Sequence, residues 1–369
     1  MEINAKQRKF LEKNAQGLNA LVQVGGAGVT ENQIAQISRL LEEHELIKVK
    51  FNEFKDEKRE LSNEIAQKTD STMVRLIGNV LILYRPAKEA NDRKFEKDLN
   101  KICMDIRCDT IMSIGHLGVG HIGGCLSVVE LLGVLYFEAM RIDPKQPKMA
   151  GRDRFICSKG HAGPAVYATL ANRGYFDRAE LLTLNQGGTH LPSHCDMNLT
   201  TGIDMTAGSL GQGFSCAVGI ALGSKLEKDG ATIYALIGDG ESQEGQIWEA
   251  AMFAAAKKLD NLIAFTDYNK LQIDDTVARV NDVAPLAEKW AAFGWNVIDV
   301  EDGNDVEQVA EAVRHAKLGR GSERPTMVIL NTKKGCGVKW IEDLGPGNHN
   351  CKVNEEQAEA AVREIRGED

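Results

Sequence analysis

Five short runs, "RFICS", "TIYALIG", "NLIAFTDY", "WNVIDV" and "PTMVILNT", are apolar at most positions and are separated by helical stretches. No other feature of the chain constrains its fold as strongly. A strand that does not alternate has no face to offer water, so both faces must be covered. Strands of that kind, spaced by helices, form a mainly parallel sheet flanked by helices, an α/β architecture. In open parallel sheets, ligands bind outside the carboxyl ends of the strands. The residues that follow each run are therefore the first place to look for a site.

"TIYALI" runs into Gly238-Asp239-Gly240. A turn there needs only the glycines, so the acid between them needs its own explanation. Asn269 lies at the end of "NLIAFTDY", the expected neighbouring strand, and is followed by "KLQID". A carboxylate oxygen, an amide oxygen and a nearby backbone carbonyl make a hard donor set. Mg²⁺ takes such a set and completes it with water and phosphate oxygens. Gly238 and Gly240 leave the backbone bare for a phosphate, and a helix expected from about Glu244 turns its N-terminus towards the anion. The competing reading is an Asp N-cap at a strand-to-helix turn. Asn269 at this spacing favours the metal.

The first 86 residues read as a separate, smaller α/β unit. A polar helix is expected over Ala5 to Gln16, and "LVQVGG" is a short strand ending in glycines. Thr30 and Gln33 form a T-x-x-Q capping box, and Ile34, Ile37, Leu40 and Leu41 share one face of the helix that follows. "ELIKVKFN" alternates Ile47, Val49 and Phe51 against Lys48 and Lys50, as a half-buried strand does. "DEKRELSNEIAQKT" is a polar helix, and "TMVRLIGNVLILYRP" gives two strands around Gly78-Asn79. The polar stretch 87–98 then reads as a linker or as the charged start of the next helix. It places a boundary near residue 92 and defines domains 1–92 and 93–369.

Charge divides the chain in the same way. Residues 1–97 carry a net +2 and the remainder −11, within a 369-residue chain of net charge −9. Separate domains with separate partners are implied, although +2 alone does not identify a nucleic-acid binder. No apolar run approaches the roughly 18 residues that cross a membrane, and "MEINAKQRKFLEKNAQ" lacks a signal-peptide core. A cytoplasmic location without a membrane partner is expected. The eight cysteines form no C-x-x-C pair and are read as reduced, mostly buried thiols. No period of 20–50 residues repeats.

The G-D-G…N pattern resembles the thiamine diphosphate-binding motif. "GHIGGCLSVVELLGVLYFEAMRIDP", "GRDRFICSKGHAGPAVYATLANRGYF" and "MTAGSLGQGFSCAVGIALGSKL", with the blocks around Asp239 and Asn269, resemble the transketolase family over about residues 98–350. The resemblance implies a transferase that passes a two-carbon ketol unit between ketose and aldose phosphates, with thiamine diphosphate and Mg²⁺ as cofactors. Asp239, Asn269 and the Leu271 carbonyl would hold the metal, with Gly238 and Gly240 against the diphosphate. Gly208 and Leu210, in "AGSLGQG", match the segment against the aminopyrimidine. His161, in "SKGHA", matches a histidine near the diphosphate and thiazolium. His121, in "GHIGG", and His194, in "LPSHC", match substrate-facing histidines, and Glu244 matches an acid near the subunit interface. His349 matches a further histidine, although Asn350 stands where the family has glycine. Ser193 likewise replaces glycine before His194. His116 and His315 read as plain helix residues, and His190 is open between structure and function.

The family's pyrimidine-binding domain, with the glutamate that pairs with the pyrimidine ring, has no counterpart before the chain ends. The resemblance therefore implies the N-terminal subunit of a split transketolase. Such a subunit needs a separate C-terminal, pyrimidine-domain partner and forms an oligomer in which copies of this chain assemble with partner chains.

"VGGAGVTENQIAQISRLLEEHELIKVKFN" and "VRLIGNVLILYRP" resemble the CRM domain of bacterial ribosome-assembly proteins over about residues 4–88. Gly25, Gly26, Ala27 and Gly28 occupy its G-x-x-G loop. Such a loop brings bare amides to an RNA phosphate at a helix N-terminus. Lys48, Lys50, Arg75 and Arg85 are candidates to add charge, and ribosomal or pre-ribosomal RNA is the implied partner. An alternative reading makes the chain an RNA-binding assembly protein with an inactive transketolase-like half. A third, another thiamine enzyme such as a pyruvate dehydrogenase alpha subunit or deoxyxylulose-phosphate synthase, is opposed by the "SKGHA" and "GHIGG" blocks. A complete set of Asp239, Asn269, His121, His161 and His194 argues against inactivity.

Overall fold

A computed structural model describes residues 5–15, 17–26, 28–54, 56–85 and 99–368. Two compact units make up the chain, Met1–Glu96 with Lys317–Glu323 and Lys97–Ala316 with Arg324–Asp369. The expected boundary near residue 92, the linker 87–98 and Ala27 lie outside the described residues. Among those described, no helix is long and apolar enough to cross a membrane.

In the smaller unit, helix α1 spans Ala5–Ala15, α2 Glu31–His44 and α3 Lys58–Lys68. Strands β1 (Ala20–Val24), β2 (Leu46–Phe51), β3 (Thr72–Ile77) and β4 (Val80–Tyr84) form one sheet in the order β1-β2-β4-β3. The β1–β2 pair is parallel and the others are antiparallel. The Thr30–Gln33 capping box is present in both directions. The alternation of β2 works as read: Ile47, Val49 and Phe51 are buried, whereas Lys50 is exposed. Ile37 and Leu41 of α2 complete that core, with Ile34 and Leu40 at its edge.

In the larger unit, β6 (Arg154–Cys157), β7 (Ile233–Gly238), β8 (Leu262–Asp267), β9 (Asn296–Val300) and β10 (Thr326–Leu330) form a sheet in the order β6-β7-β8-β10-β9. Every pair is parallel. All five apolar runs are strands, and each sheet face buries its own core. Tyr234, Leu236, Phe265 and Val328 point into one cluster, and Ile233, Ala235, Ala264 and Met327 into the other. Helices α4 (Leu99–Leu117), α5 (Gly163–Arg173), α6 (Gln212–Glu227), α7 (Gly245–Ala256) and α8 (Glu355–Arg366) contribute to the covering layers. A two-residue antiparallel ribbon, β5 (Val119–Gly120) with β11 (Cys351–Lys352), joins distant parts of the chain. All eight cysteines are free thiols, five of them buried.

Candidate active site

The site is built at the carboxyl ends of β7 and β8. These strands are neighbours in register Gly238↔Asp267, which brings the residues after each to the same rim. Asp239 is 3% exposed. Its Oδ1 accepts the Gly240 N–H at 2.7 Å, and its Oδ2 accepts the Lys270 N–H. The N-cap reading is thus partly right: Asp239 caps a short turn, Gly240–Gln243, and α7 begins only at Gly245. The same carboxylate also gathers in the Asn269–Leu271 loop. Lys270 takes a left-handed backbone there (φ 67°), an uncommon conformation for a side chain of its size. The Leu271 N–H donates to Asn269 Oδ1 at 3.1 Å.

Asp267, the last residue of β8, is fully buried. It accepts hydrogen bonds from Lys159 Nζ (2.5 Å), Ser127 Oγ and Asn269 Nδ2 (2.8 Å each), and from Thr332 Oγ1. Burial raises a carboxyl pKa, but Lys159 and these donors outweigh it and hold Asp267 low. Among the described residues Asp239 has no such lysine contact. Burial, then the charge of Asp267, push it up to about 7. One carboxylate at this rim is therefore neutralised from within the chain and the other is not.

The histidines converge. His121 and His349 are brought together by the β5–β11 ribbon, in which Gly120 pairs with Cys351, and their rings are 5.4 Å apart. His161 lies 5.6 Å from His121 and 5.1 Å from His349, and His194 is 5.6 Å from His121. The Ser193 hydroxyl sits 2.9 Å from His194 Nδ1, and the Tyr167 hydroxyl donates to the His194 carbonyl. Burial lowers the pKa of all four. For His161 the nearby Lys159 adds to burial; for His349 Lys334 does, taking it to about 3. The cluster is one of neutral imidazoles near pH 7, able to donate to and accept from a polar substrate.

Lys334 connects the two halves of the site. Its ammonium donates to the Leu271 carbonyl at 3.3 Å and lies 3.1 Å from His349 Nδ1. Burial, then Lys159, lower it to about 8. Neither lysine was singled out in the sequence, nor was Asp267. Lys159 lies inside the quoted "SKGHA", and Lys334 just beyond β10. The strand-end rule that picked out Asp239 also reaches Asp267 and Lys334.

Gly208 follows Ala207, whose carbonyl lies 2.6 Å from where a Cβ on Gly160 would sit. Only glycine at 160 lets the 206–211 segment lie this close to the His161 turn. Gly208, Leu210 and Glu244 are exposed. Elsewhere, His116 contacts Glu355 at 2.6 Å and His190 lies 3.3 Å from Glu180, neither within the cluster.

The donor set suits a hard divalent cation. A carboxylate, an amide oxygen and a backbone carbonyl lie at one rim, and an ammonium already rests against that carbonyl. No group of three or more His, Cys, Asp or Glu side chains among the described residues is arranged to hold a metal. Such a cation would therefore draw its remaining ligands from water and phosphate. A Cβ on Gly240 would lie 3.3 Å from the Gln272 side chain, so this backbone stays bare.

In the smaller unit, the Gly28 N–H closes a turn on the Gly25 carbonyl, with Gly28 left-handed (φ 66°). The turn precedes α2, and β1 and β2 run parallel with Gln23 opposite Lys50, placing Lys50 near it. Gly26 faces the Glu53 carboxylate, whose Oε2 would be 3.1 Å from an added Cβ. Lys48 donates to the Leu18 carbonyl, and Arg75 pairs with Glu12. Arg85 corrects the reading of it as surface charge. It is 6% exposed and donates to Ser38 Oγ, the Ser38 carbonyl and the Thr69 carbonyl. Its guanidinium ties α2 to the end of α3.

Comparison with known proteins agrees with this architecture. Residues 99–367 match the transketolase thiamine diphosphate binding domain, and residues 3–85 match the CRS1/YhbY (CRM) domain. A 6-deoxy-6-sulfo-D-fructose transketolase subunit of Clostridium sp. is 54% identical over 73% of this chain and 97% of its own length. An apulose-4-phosphate transketolase subunit of Phocaeicola vulgatus is 40% identical over 67% of this chain and 86% of its own. The solved transketolase of Leishmania mexicana superposes with a TM-score of 0.66 at 28% identity, covering 73% of this chain but 41% of that one. The chain belongs to the transketolase family, with relatives that are N-terminal subunits of split enzymes, and it carries a CRM domain at its N-terminus.

Proposed function

We propose that this chain is the N-terminal subunit of a split, cytoplasmic transketolase that holds thiamine diphosphate and Mg²⁺ and works with a separate pyrimidine-domain subunit. The observation that carries the reading is Lys334. It touches both the Leu271 carbonyl and His349, making the cation rim and the histidine cluster one continuous site. Asp239, Asn269 and the Leu271 carbonyl hold Mg²⁺. Gly238 and Gly240 lie along the diphosphate, and Gly208 and Leu210 against the aminopyrimidine. When bound, thiamine diphosphate supplies the thiazolium that stabilises negative charge as a carbon–carbon bond of the sugar breaks. His121, His161, His194 and His349 orient the sugar hydroxyls and carry protons to and from its oxygens. Glu244 faces the partner subunit.

The relatives suggest a ketose with an anionic end, a sulfonate as in the Clostridium relative's named sugar or a phosphate as in the apulose one. Calorimetric titration of thiamine diphosphate with Mg²⁺ into wild-type chain and Asp239→Ala tests the site, with binding expected only in the wild type. Ketol transfer from both sugar classes is expected only when the partner subunit is added; robust turnover by the chain alone would defeat the subunit reading. Sedimentation with the partner is expected to give two copies of each chain, and a single copy of this one would refute that assembly.

The CRM domain is proposed to bind RNA through Gly25, Gly26, Ala27 and Gly28 with Lys48 and Lys50. Lys50→Ala is expected to weaken binding of a ribosomal RNA fragment and to flatten its salt dependence. Binding of thiamine diphosphate by neither variant, with partner present, would favour the RNA-binding protein with an inactive second half.

A further inference from the structure

We propose that Glu241 is a positioning residue that locks three cofactor-facing segments into one frame. The inference rests on the cofactor reading above. Glu241 lies in the Gly240–Gln243 turn and is 2% exposed. Its Oε1 accepts from Ser158 Oγ and from the Gly211 N–H at 2.7 Å, and its Oε2 accepts the Gly238 N–H at 2.9 Å. These three donors belong to three separate strand ends or loops. Ser158 follows β6 and leads into the Lys159–His161 segment. Gly211 closes the 206–211 segment and is the N-cap of α6. Gly238 ends β7 immediately before Asp239.

The tie continues one bond further. Ser158 Oγ accepts the Phe214 N–H at 2.9 Å, fastening the first turn of α6 to the same point. Ser242 Oγ donates back to the Gly238 carbonyl at 3.1 Å. Segments separated by some eighty residues of chain are thus referenced to a single buried carboxylate.

The choice of side chain follows from hydrogen-bond capacity. Three donors converge on the two oxygens, and only a carboxylate offers acceptors at both. Glutamine would present an NH₂ group to at least one N–H, leaving a buried donor without an acceptor. Leaving a carboxylate in a buried site without a lysine in hydrogen-bond contact is costly. That cost is met here by donors aimed from the very segments that would bracket the two ends of one ligand: the Gly238–Gly240 strand end at its diphosphate, and the 206–211 segment at its ring.

Glu241→Gln in the full chain tests the proposal, with Ser158→Ala as a milder second variant. Affinities for thiamine diphosphate and for inorganic pyrophosphate, each with Mg²⁺, are measured by calorimetry below the melting temperature of every variant. Hydrogen exchange is followed without ligand over residues 158–162, 206–214 and 238–242. Glu241→Gln is expected to weaken thiamine diphosphate at least tenfold and pyrophosphate markedly less, because the tie sets the distance between two contacts of the longer ligand. Exchange is expected to speed up in these segments and to stay unchanged in β9. General destabilisation would instead weaken both ligands alike, and that result, or wild-type affinity for both, overturns the proposal. Should wild-type chain bind neither probe, alone or with the partner subunit present, the cofactor reading falls, and the tie is judged by exchange alone. Unchanged protection over 206–214 in both variants then refutes it.

Discussion

Lys159→Met is the sharpest test of how the site is held together. Lys159 is 1% exposed, and its ammonium donates to Asp267 Oδ2 at 2.5 Å and to the Gly124 carbonyl at 2.8 Å. Asp267 is itself fully buried. Methionine keeps most of the apolar stem and removes the ammonium with its hydrogen bonds to Asp267 and the Gly124 carbonyl, leaving Asp267 with neutral donors. Breaking a buried pair from one side costs about 3–5 kcal/mol, most of it the stranded charge. For a domain of this size each kcal/mol moves the melting temperature by roughly 2–4 °C, so a drop on the order of 6–20 °C is expected. Tryptophan fluorescence reads it cleanly, since Trp248, Trp290, Trp295 and Trp340 all lie in the larger unit. Adding Asp267→Asn removes the stranded charge and should recover a large part of the loss. A Lys159→Met chain that melts within about 2 °C of wild type, or a double variant no better than the single, would refute the assignment of this pair as the internal charge balance of the site.

Three further outcomes are expected. Gly115→Ala places a methyl group 2.4 Å from the Ala358 Cβ, where α4 crosses α8, and should destabilise the larger unit by about 1–3 kcal/mol; Ala358→Gly should restore it in a double-variant melt. Arg85→Ala removes three hydrogen bonds, one buried and two partly buried, so hydrogen exchange in β1 and β2 should accelerate, whereas Lys50→Ala should leave that exchange unchanged. The histidine cluster binds fewer protons folded than unfolded. Its contribution to stability is therefore complete above the ordinary histidine pKa near 6.5 and is lost as pH falls, for His349 towards about 3. Imidazole NMR titration should find His349 still neutral at about pH 5, and protonation near pH 6.5 would contradict this.

The sheet was legible because burial on both faces removes alternation, a signal that survives without knowing any contact. The capping box at Thr30 and the alternation of β2 were legible for a similar reason, each being set by neighbours within a few residues. Asp239 and Asn269 could be read as spatial neighbours because a strand-end rule turns sequence position into spatial position. What the sequence did not display was long-range polar pairing. Lys159 and Asp267 are 108 residues apart, and nothing local to either names the other. Arg85 illustrates the same limit from the opposite side. An arginine at the end of a strand reads as surface charge, and only the tertiary fold places Ser38 and Thr69 where they can accept its hydrogen bonds. His121 and His349 meet because a ribbon of two residues per strand pairs Gly120 with Cys351, too short a pairing to leave a periodic trace.

For the proposed Mg²⁺ and diphosphate, the charges at the rim predict binding as a pair. Asp267 is paired with Lys159, whereas Lys334 rests on the Leu271 carbonyl and senses Asp239 only through its charge, so two acids and two lysines share the rim. A divalent cation entering alone meets Asp239 but also two buried ammonium groups. A polyanion entering alone meets the lysines but also two carboxylates. Entering together, each is screened from its like charges by the other, in a buried setting where such interactions are weakly damped. Mg²⁺ should therefore bind at least tenfold more tightly with pyrophosphate than without it, a coupling of about 1.4 kcal/mol that must appear equally in the affinity of pyrophosphate with and without Mg²⁺. Because Mg²⁺ and pyrophosphate also associate in solution, the titrations are corrected with the separately measured constant for that complex. Equal intrinsic Mg²⁺ affinity in the two titrations would mean that the lysines do not sense the cation position, and the charge balance drawn here would be wrong.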